Sequence, residues 1–199
     1  MVALWLSARS PTLVVVRTGV IGPRAEGPPL LRPQLRSGGH LTAPRKGTCV
    51  IEARKVKLWD RRYDVLEDGR PVAIWERSLW STGGTIRLEG RNLHVRTNLL
   101  GCESSMSEAA GPPIAVARSV GRKNWTIESD GATYHFRRSP PWRQAERLHH
   151  GGLAVGWIRR TRPWRGEARA ELPGLPRTVQ VFAVALVLSR WESESAASA

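Results

Sequence analysis

Sulfur, lysine and aspartate are scarce in this chain, and each scarcity excludes something. Only two cysteines, Cys49 and Cys102, occur in 199 residues. They are too few for a disulfide framework and lack the paired spacing of a zinc site, so a reducing cytosol is the expected compartment. Both are expected to be inert thiols. The four aspartates, Asp60, Asp64, Asp68 and Asp130, stand in turn or strand-edge contexts, where Asp serves local backbone hydrogen bonds. The one histidine pair, His149-His150, has Glu146 as its sole neighbour of ligand type, which leaves a metal-binding set incomplete. No phosphate-cradling or dinucleotide glycine loop occurs, and no serine elbow of the form Gly-x-Ser-x-Gly. The sequence therefore points away from an enzyme, and no cofactor or metal is expected.

Arginine is what the chain has in excess. Of 31 basic side chains 27 are Arg and four are Lys, for a formal net charge of +14. A field of that sign attracts phosphate-bearing polymers and anionic lipid surfaces. A GC-rich coding sequence produces the same bias, together with abundant Ala, Gly, Pro and Trp, so charge alone assigns no partner.

The texture changes near residue 48. Residues 1–48 carry seven basic side chains against one acidic one, Glu26, with turn-rich runs such as Gly27-Pro28-Pro29 and Ser37-Gly38-Gly39. Such a segment buries too little apolar surface to offset its ordering entropy and is expected to be a disordered tail. Its apolar run Leu13-Val14-Val15-Val16 follows Arg9 and Pro11 and precedes no small-residue cleavage site, which argues against a signal peptide. An upstream translation start taken in place of the natural one would produce the same tail. Residues 49–192 are expected to form one β domain and 193–199 a second disordered tail.

From Val50 onward, strand-like runs alternate with turn signals such as Asp68-Gly69, Glu89-Gly90, Asp130-Gly131 and Gly151-Gly152. Thr85-Ile86-Arg87-Leu88, Asn92-Leu93-His94-Val95-Arg96, Trp125-Thr126-Ile127-Glu128 and Thr133-Tyr134-His135-Phe136-Arg137 alternate apolar with polar, which sets one face on a core and the other in water. An internal echo is present. Gly90 and Gly131 stand 41 residues apart, each between an Ile-centred strand and a strand ending in His-apolar-Arg. A degenerate third copy begins at Leu153-Ala154-Val155-Gly156-Trp157-Ile158, beside Pro71-Val72-Ala73-Ile74-Trp75 and Ile114-Ala115-Val116-Ala117. Repeated hairpins of this kind predict a meander that closes on itself, since closure removes aggregation-prone edges.

The last segment breaks the alternation. After Pro176 the run Val179 to Leu188 is almost wholly apolar and ends with Trp191. At about 15 residues it is shorter than the roughly 20 that span a bilayer, so no integral membrane span is expected. A helix apolar on every side belongs inside a core, and Pro176 suits its first turn. The valines leave a β-strand as the competing reading.

Several of these residues fall in a familiar order. Tyr63-Asp64-Val65-Leu66 with Asp68-Gly69-Arg70-Pro71, then Trp125-Thr126-Ile127 with Asp130-Gly131 and Tyr134, then Gly156-Trp157-Ile158, then Leu175-Pro176 through Gln180-Val181-Phe182 to Trp191, resemble the tubby-like superfamily. Within it the chain is most similar to the LURP-one-related branch, itself similar to phospholipid scramblases. The resemblance implies a closed antiparallel barrel of about 12 strands threaded by the final helix, which favours helix over strand for the last segment. It further implies a non-enzymatic module, several relatives of which engage anionic phospholipid or phosphoinositide head groups. No phosphoinositide-binding residue of the tubby proteins maps onto a position here. The scramblases' calcium-binding acidic segment and cysteine-rich palmitoylation stretch have no counterpart, which argues against scrambling activity.

The candidate binding surface is Trp157 to Arg169, where Arg159, Arg160, Arg162 and Arg165 are interleaved with Trp157 and Trp164. A second cluster, Arg137, Arg138, Trp142 and Arg143, flanks Pro140-Pro141. Arg presents a planar fork to phosphate and Trp sits well at a lipid interface, so both clusters fit an anionic membrane surface. Single-stranded nucleic acid, stacking on Trp with Arg on its backbone, is the alternative partner. Trp157 pointing inward with the arginines merely solvated is the plain structural alternative. The expected state is a cytoplasmic monomer, peripheral at the membrane if lipid is the partner.

Overall fold

The computed structural model describes residues 49–57, 60–78, 83–109, 111–140 and 144–197. The expected tail at 1–48 lies outside the described residues.

Twelve strands follow one another: β1 (Val50–Lys55), β2 (Arg62–Glu67), β3 (Arg70–Arg77), β4 (Gly83–Leu88), β5 (Arg91–Thr97), β6 (Glu103–Glu108), β7 (Pro113–Arg118), β8 (Asn124–Ser129), β9 (Ala132–Arg138), β10 (Ala145–His150), β11 (Leu153–Arg162) and β12 (Glu167–Glu171). One helix, α1 (Arg177–Ala196), follows them. Each strand pairs antiparallel with its neighbour in sequence, and β1 closes the ring on β12 through Val50 opposite Glu171 and Ala53 opposite Ala168. The expected mostly-β closed barrel with a buried C-terminal helix is what forms.

Alternation in the sequence becomes inside and outside in the barrel. In β5, Leu93 and Val95 are buried while Asn92 and Arg96 are exposed. The hairpin tips follow their turn residues: Glu89-Gly90 has φ of 52° and 77°, and Asp130-Gly131 has 48° and 74°. Two successive left-handed residues make the type I′ turn whose twist suits flanking strands. The 41-residue echo is thus a pair of hairpins four strands apart, β4–β5 and β8–β9. The three similar runs in β3, β7 and β11 share that four-strand spacing.

Helix α1 is a consequence of strand number. Eight strands leave an interior that side chains alone fill; twelve leave a wider one. Every residue from Val179 to Leu188 is buried, with Val181, Phe182, Ala183 and Val187 fully enclosed. Small inward residues, Ala53, Ala73, Ala115, Ala117, Ala168 and Ala170, make room on the wall. Both ends of the helix are tied down. At its start Arg177 pairs with Glu67 and Glu89, at the β2–β3 and β4–β5 tips. Its end is clamped by a polar ring: Glu192 receives Lys55 Nζ at 2.7 Å, Tyr63 Oη at 2.5 Å and Arg77 at 3.1 Å. A second group surrounds Glu146, which is fully buried, accepts from Trp125 Nε1 at 2.9 Å and lies 2.7 Å from Arg190. The helix runs four residues past the expected boundary at 192, because Glu194 pairs with Arg138 at 2.8 Å and Arg190 at 3.2 Å. Residues 193–196 therefore belong to α1 and are not a disordered tail.

The meander sorts its connections. The β2–β3, β4–β5, β6–β7, β8–β9 and β10–β11 turns lie at the end where α1 begins, and the other connections at the end where it stops.

Candidate functional site

With α1 filling the lumen, a polymer or a membrane meets this barrel on its outer wall or at an end. The outer wall is mostly charge-balanced: Arg87 pairs with Glu76 at 2.8 Å, Arg91 with Glu108 at 2.5 Å, and Arg118 with Glu103 at 2.6 Å and Glu128 at 3.3 Å. Unpaired arginines gather on the stretch formed by β9, β10 and β11. Register places Arg137 directly opposite Arg147, and Arg147 directly opposite Trp157. One step along, His135 faces His149, and Arg159 lies over the Trp157 ring at 4.3 Å. Among the described residues, Arg137, Arg147 and Arg159 have no carboxylate within ion-pair distance, unlike Arg87, Arg91 and Arg118. Like charges directly opposite on one face of a sheet repel and destabilise it.

An open groove of about 620 Å³ runs along this wall, lined by Lys123, Arg137, Arg147 and His149 together with Ser139 and Pro140. A second of about 390 Å³ adjoins it, sharing Arg137 and His149 and adding Asn124 and His135. These are concave, cationic and shallow. They suit a flat or extended anionic partner better than an enclosed small molecule.

The two linear clusters of the sequence are dealt to different places. Arg159 and Arg137 point outward on the wall. Arg160 points the other way, its guanidinium 5.8 Å from the Trp191 ring and 3.5 Å from Ser195 Oγ, so it helps seal the end of α1. Arg138 also turns in, 3.6 Å from buried Glu146 and 2.8 Å from Glu194. Arg162 pairs with Glu167 at 3.6 Å. Trp164 and Arg165 lie exposed on a short 3-10 turn, Pro163–Arg165, between β11 and β12. Trp142 and Arg143 lie outside the described residues. Trp157 is half-buried and faces outward, since its neighbours Gly156 and Ile158 take the inward positions.

Arg147, His135 and His149 are wall residues that linear clustering missed, and Lys123, at the end of the β7–β8 connection, borders them. Strand alternation anchored on Leu148 would have found Arg147 and His149, because Leu148 is buried and its flanking residues must face out.

Two titratable groups at the helix-terminal clamp are shifted. Burial alone would raise the Glu192 carboxyl, but hydrogen bonds from Lys55 and Tyr63, with Arg77 beside them, hold it below the ordinary glutamate value. Burial, then the bond to Glu192 and its charge, push the Tyr63 phenol well above its usual value. These are structural couplings: the groups touch one another and the end of α1. Among the described residues no three His, Cys, Asp or Glu side chains gather into a metal-sized cluster, and no helix is long and apolar enough to cross a membrane.

Compared with protein-family models, curated proteins and solved structures, the chain matches none.

Proposed function

We propose that this chain is a non-enzymatic binding module that docks on anionic phospholipid surfaces, using the outer wall of β9, β10 and β11. The observation that carries the reading is the unpaired row Arg137, Arg147 and Arg159 around Trp157. A wall that sets two arginines face to face with no carboxylate lowers the stability of its own sheet. An anionic surface would supply the missing counter-charge, about 1 kcal/mol for each basic residue near it. The flanking indole fits the same interface, being amphipathic in the way head-group regions favour.

The closed barrel of twelve strands with its C-terminal helix supports placing the chain with the tubby-like proteins, in the LURP-one-related and scramblase-like branch. Within this proposal the protein is a cytoplasmic monomer, peripheral at the membrane.

The test is co-sedimentation of the full chain with neutral vesicles and with vesicles enriched in phosphatidylserine, at two ionic strengths, beside an Arg137→Ala/Arg147→Ala/Arg159→Ala variant. Binding confined to anionic vesicles is expected, weakened on the order of a hundredfold in the variant. Absence of vesicle binding sinks the proposal. If a single-stranded oligonucleotide binds instead, with an affinity falling steeply in salt, the wall serves nucleic acid.

A further inference from the structure

The two ends of the barrel differ in a way the wall does not explain. At the end where α1 begins, the turn tips carry Asp68, Glu89 and Asp130 and no basic residue between strands. At the end where α1 stops, the connections carry exposed Lys57, Arg61, Arg122, Lys123 and Arg165 against a single acidic residue, Asp60. Glu192 and Glu194, the helix carboxylates that reach this end, are taken up by Lys55, Arg77, Arg138 and Arg190.

Large apolar side chains are exposed at the same basic end. Leu99 and Leu100, in the β5–β6 connection, are fully or almost fully open to solvent at 104% and 86%. Trp164, between β11 and β12, is 76% exposed, and Val56, after β1, 44%. None of these side chains serves the core. The β5–β6 connection lies next to the β7–β8 one, where Val120 N donates to Cys102 O at 3.1 Å, so the connections that carry Leu99-Leu100 and Arg122-Lys123 are joined on the rim. Trp164 is adjacent to Arg165 in the chain. Apolar and basic side chains thus share one rim, and the acidic tips lie at the far end.

We infer that this rim is the part of the molecule that enters an anionic bilayer: Leu99, Leu100 and Trp164 insert at the interface while Lys57, Arg122, Lys123 and Arg165 meet the head groups, and the barrel leans so that the end of α1 and the adjoining β9–β11 wall, whose Arg137, Arg147 and Arg159 lie toward that end of their strands, both face the membrane. The inference rests on the lipid-docking reading and adds the orientation. Charge fixes its sign. The opposite orientation would press Asp68 and Asp130 onto an anionic surface, Glu89 being taken up by Arg177, although Leu153 at that end is also exposed, at 73%. Interfacial insertion of apolar side chains ringed by basic ones combines the two attractions that hold monotopic segments to anionic lipid.

The full chain, with Cys49→Ser and Cys102→Ser, is labelled with an environment-sensitive nitrobenzoxadiazole dye at Leu99→Cys, Trp164→Cys or Leu153→Cys. Phosphatidylserine-rich vesicles are then added. A blue shift with rising intensity is expected at positions 99 and 164 and none at 153. The dye responding at 153, or at none of the three while the protein co-sediments, overturns the orientation and leaves lipid docking intact. Failure to co-sediment removes both. An unlabelled Leu99→Asp/Leu100→Asp variant gives an independent readout. Its fold should be unchanged by circular dichroism, and its vesicle affinity should fall by about tenfold or more. An unchanged affinity also overturns the inference.

Discussion

Cys49 illustrates how little a side chain's identity says before its neighbours are known. It opens the described chain beside the β2–β3 tip, where its thiol donates to Asp68 Oδ2 at 3.4 Å. Burial first, then hydrogen bonding to Glu67 and Asp68 and the charge of both carboxylates, pushes the thiol up to about 12. Since the thiolate is the nucleophile, on the order of one molecule in ten thousand is reactive at pH 8. Iodoacetamide at that pH should therefore leave Cys49 unmodified in the folded protein and modify it in denaturant, as read by peptide mass spectrometry. Ready labelling of the folded chain would refute the local geometry. Glu192 gives the opposite case. Its folded carboxyl is held below the ordinary value, so its contribution to stability is present above the unfolded value and is lost as pH falls through the folded one. Thermal unfolding of the wild type should lose ground from about pH 5 downward. Glu192→Gln should lack that part of the acid dependence. At neutral pH it should be less stable by about 1–3 kcal/mol, because Lys55 and Arg77 lose a charged partner.

At the scale of elements, the hairpins β4–β5 and β8–β9 and the similar runs in β3, β7 and β11 were legible and the fate of individual arginines was not. Period-two alternation over Asn92-Arg96 and Thr133-Arg137 was enough to place β5 and β9, and the repeated Glu-Gly and Asp-Gly tips placed their hairpins. The last segment was harder. An apolar run rich in valine suits a buried strand as well as a buried helix; what decides is the width of a twelve-stranded lumen, which no local window of sequence contains. The 159–165 cluster is divided for a geometric reason: Arg159 and Arg160 are neighbours in the chain and therefore opposites across the wall. Strand β10 hid Arg147 for another reason. Its inward position next to Leu148 is Glu146, a buried carboxylate whose partners Trp125 and Arg190 come from distant elements. A charged residue inside leaves Leu148 as the single apolar anchor of the alternation that marks Arg147 as outside. The division between lumen and rim can be measured directly. Phe182→Ala, in the middle of α1 and fully buried, should cost about 3–5 kcal/mol. Leu99→Ala, on the rim, should stay within about 0.5 kcal/mol of wild type. A large cost at Leu99 in chemical denaturation would mean that it packs after all.

At the scale of the barrel, a closed meander leaves no open edge among the described strands to pair with another chain, so strand addition to this barrel is excluded. Recognition is left to side chains on the outside, where stability and binding make opposite demands. Carboxylates cover Arg87, Arg91 and Arg118 on β4, β5 and β7, as the fold alone would favour. On β9, β10 and β11 they are missing, and the face-to-face Arg137 and Arg147 cost the sheet energy. If that cost is carried for a partner, relieving it should separate the two properties. Arg147→Glu places a carboxylate directly across from Arg137 and should stabilise the barrel by about 0.2–1 kcal/mol at low salt. For a chain of this length that corresponds to a melting temperature higher by roughly 1–3 °C. The same change removes one positive charge from the wall, neutralises a second and should all but abolish binding to phosphatidylserine-rich vesicles. The gain in stability should shrink as salt screens the pair. A variant that melts lower than wild type would show that the wall arginines are held apart by contacts within the barrel. One that melts higher and still binds vesicles would remove the wall from the docking surface and leave the rim to account for binding.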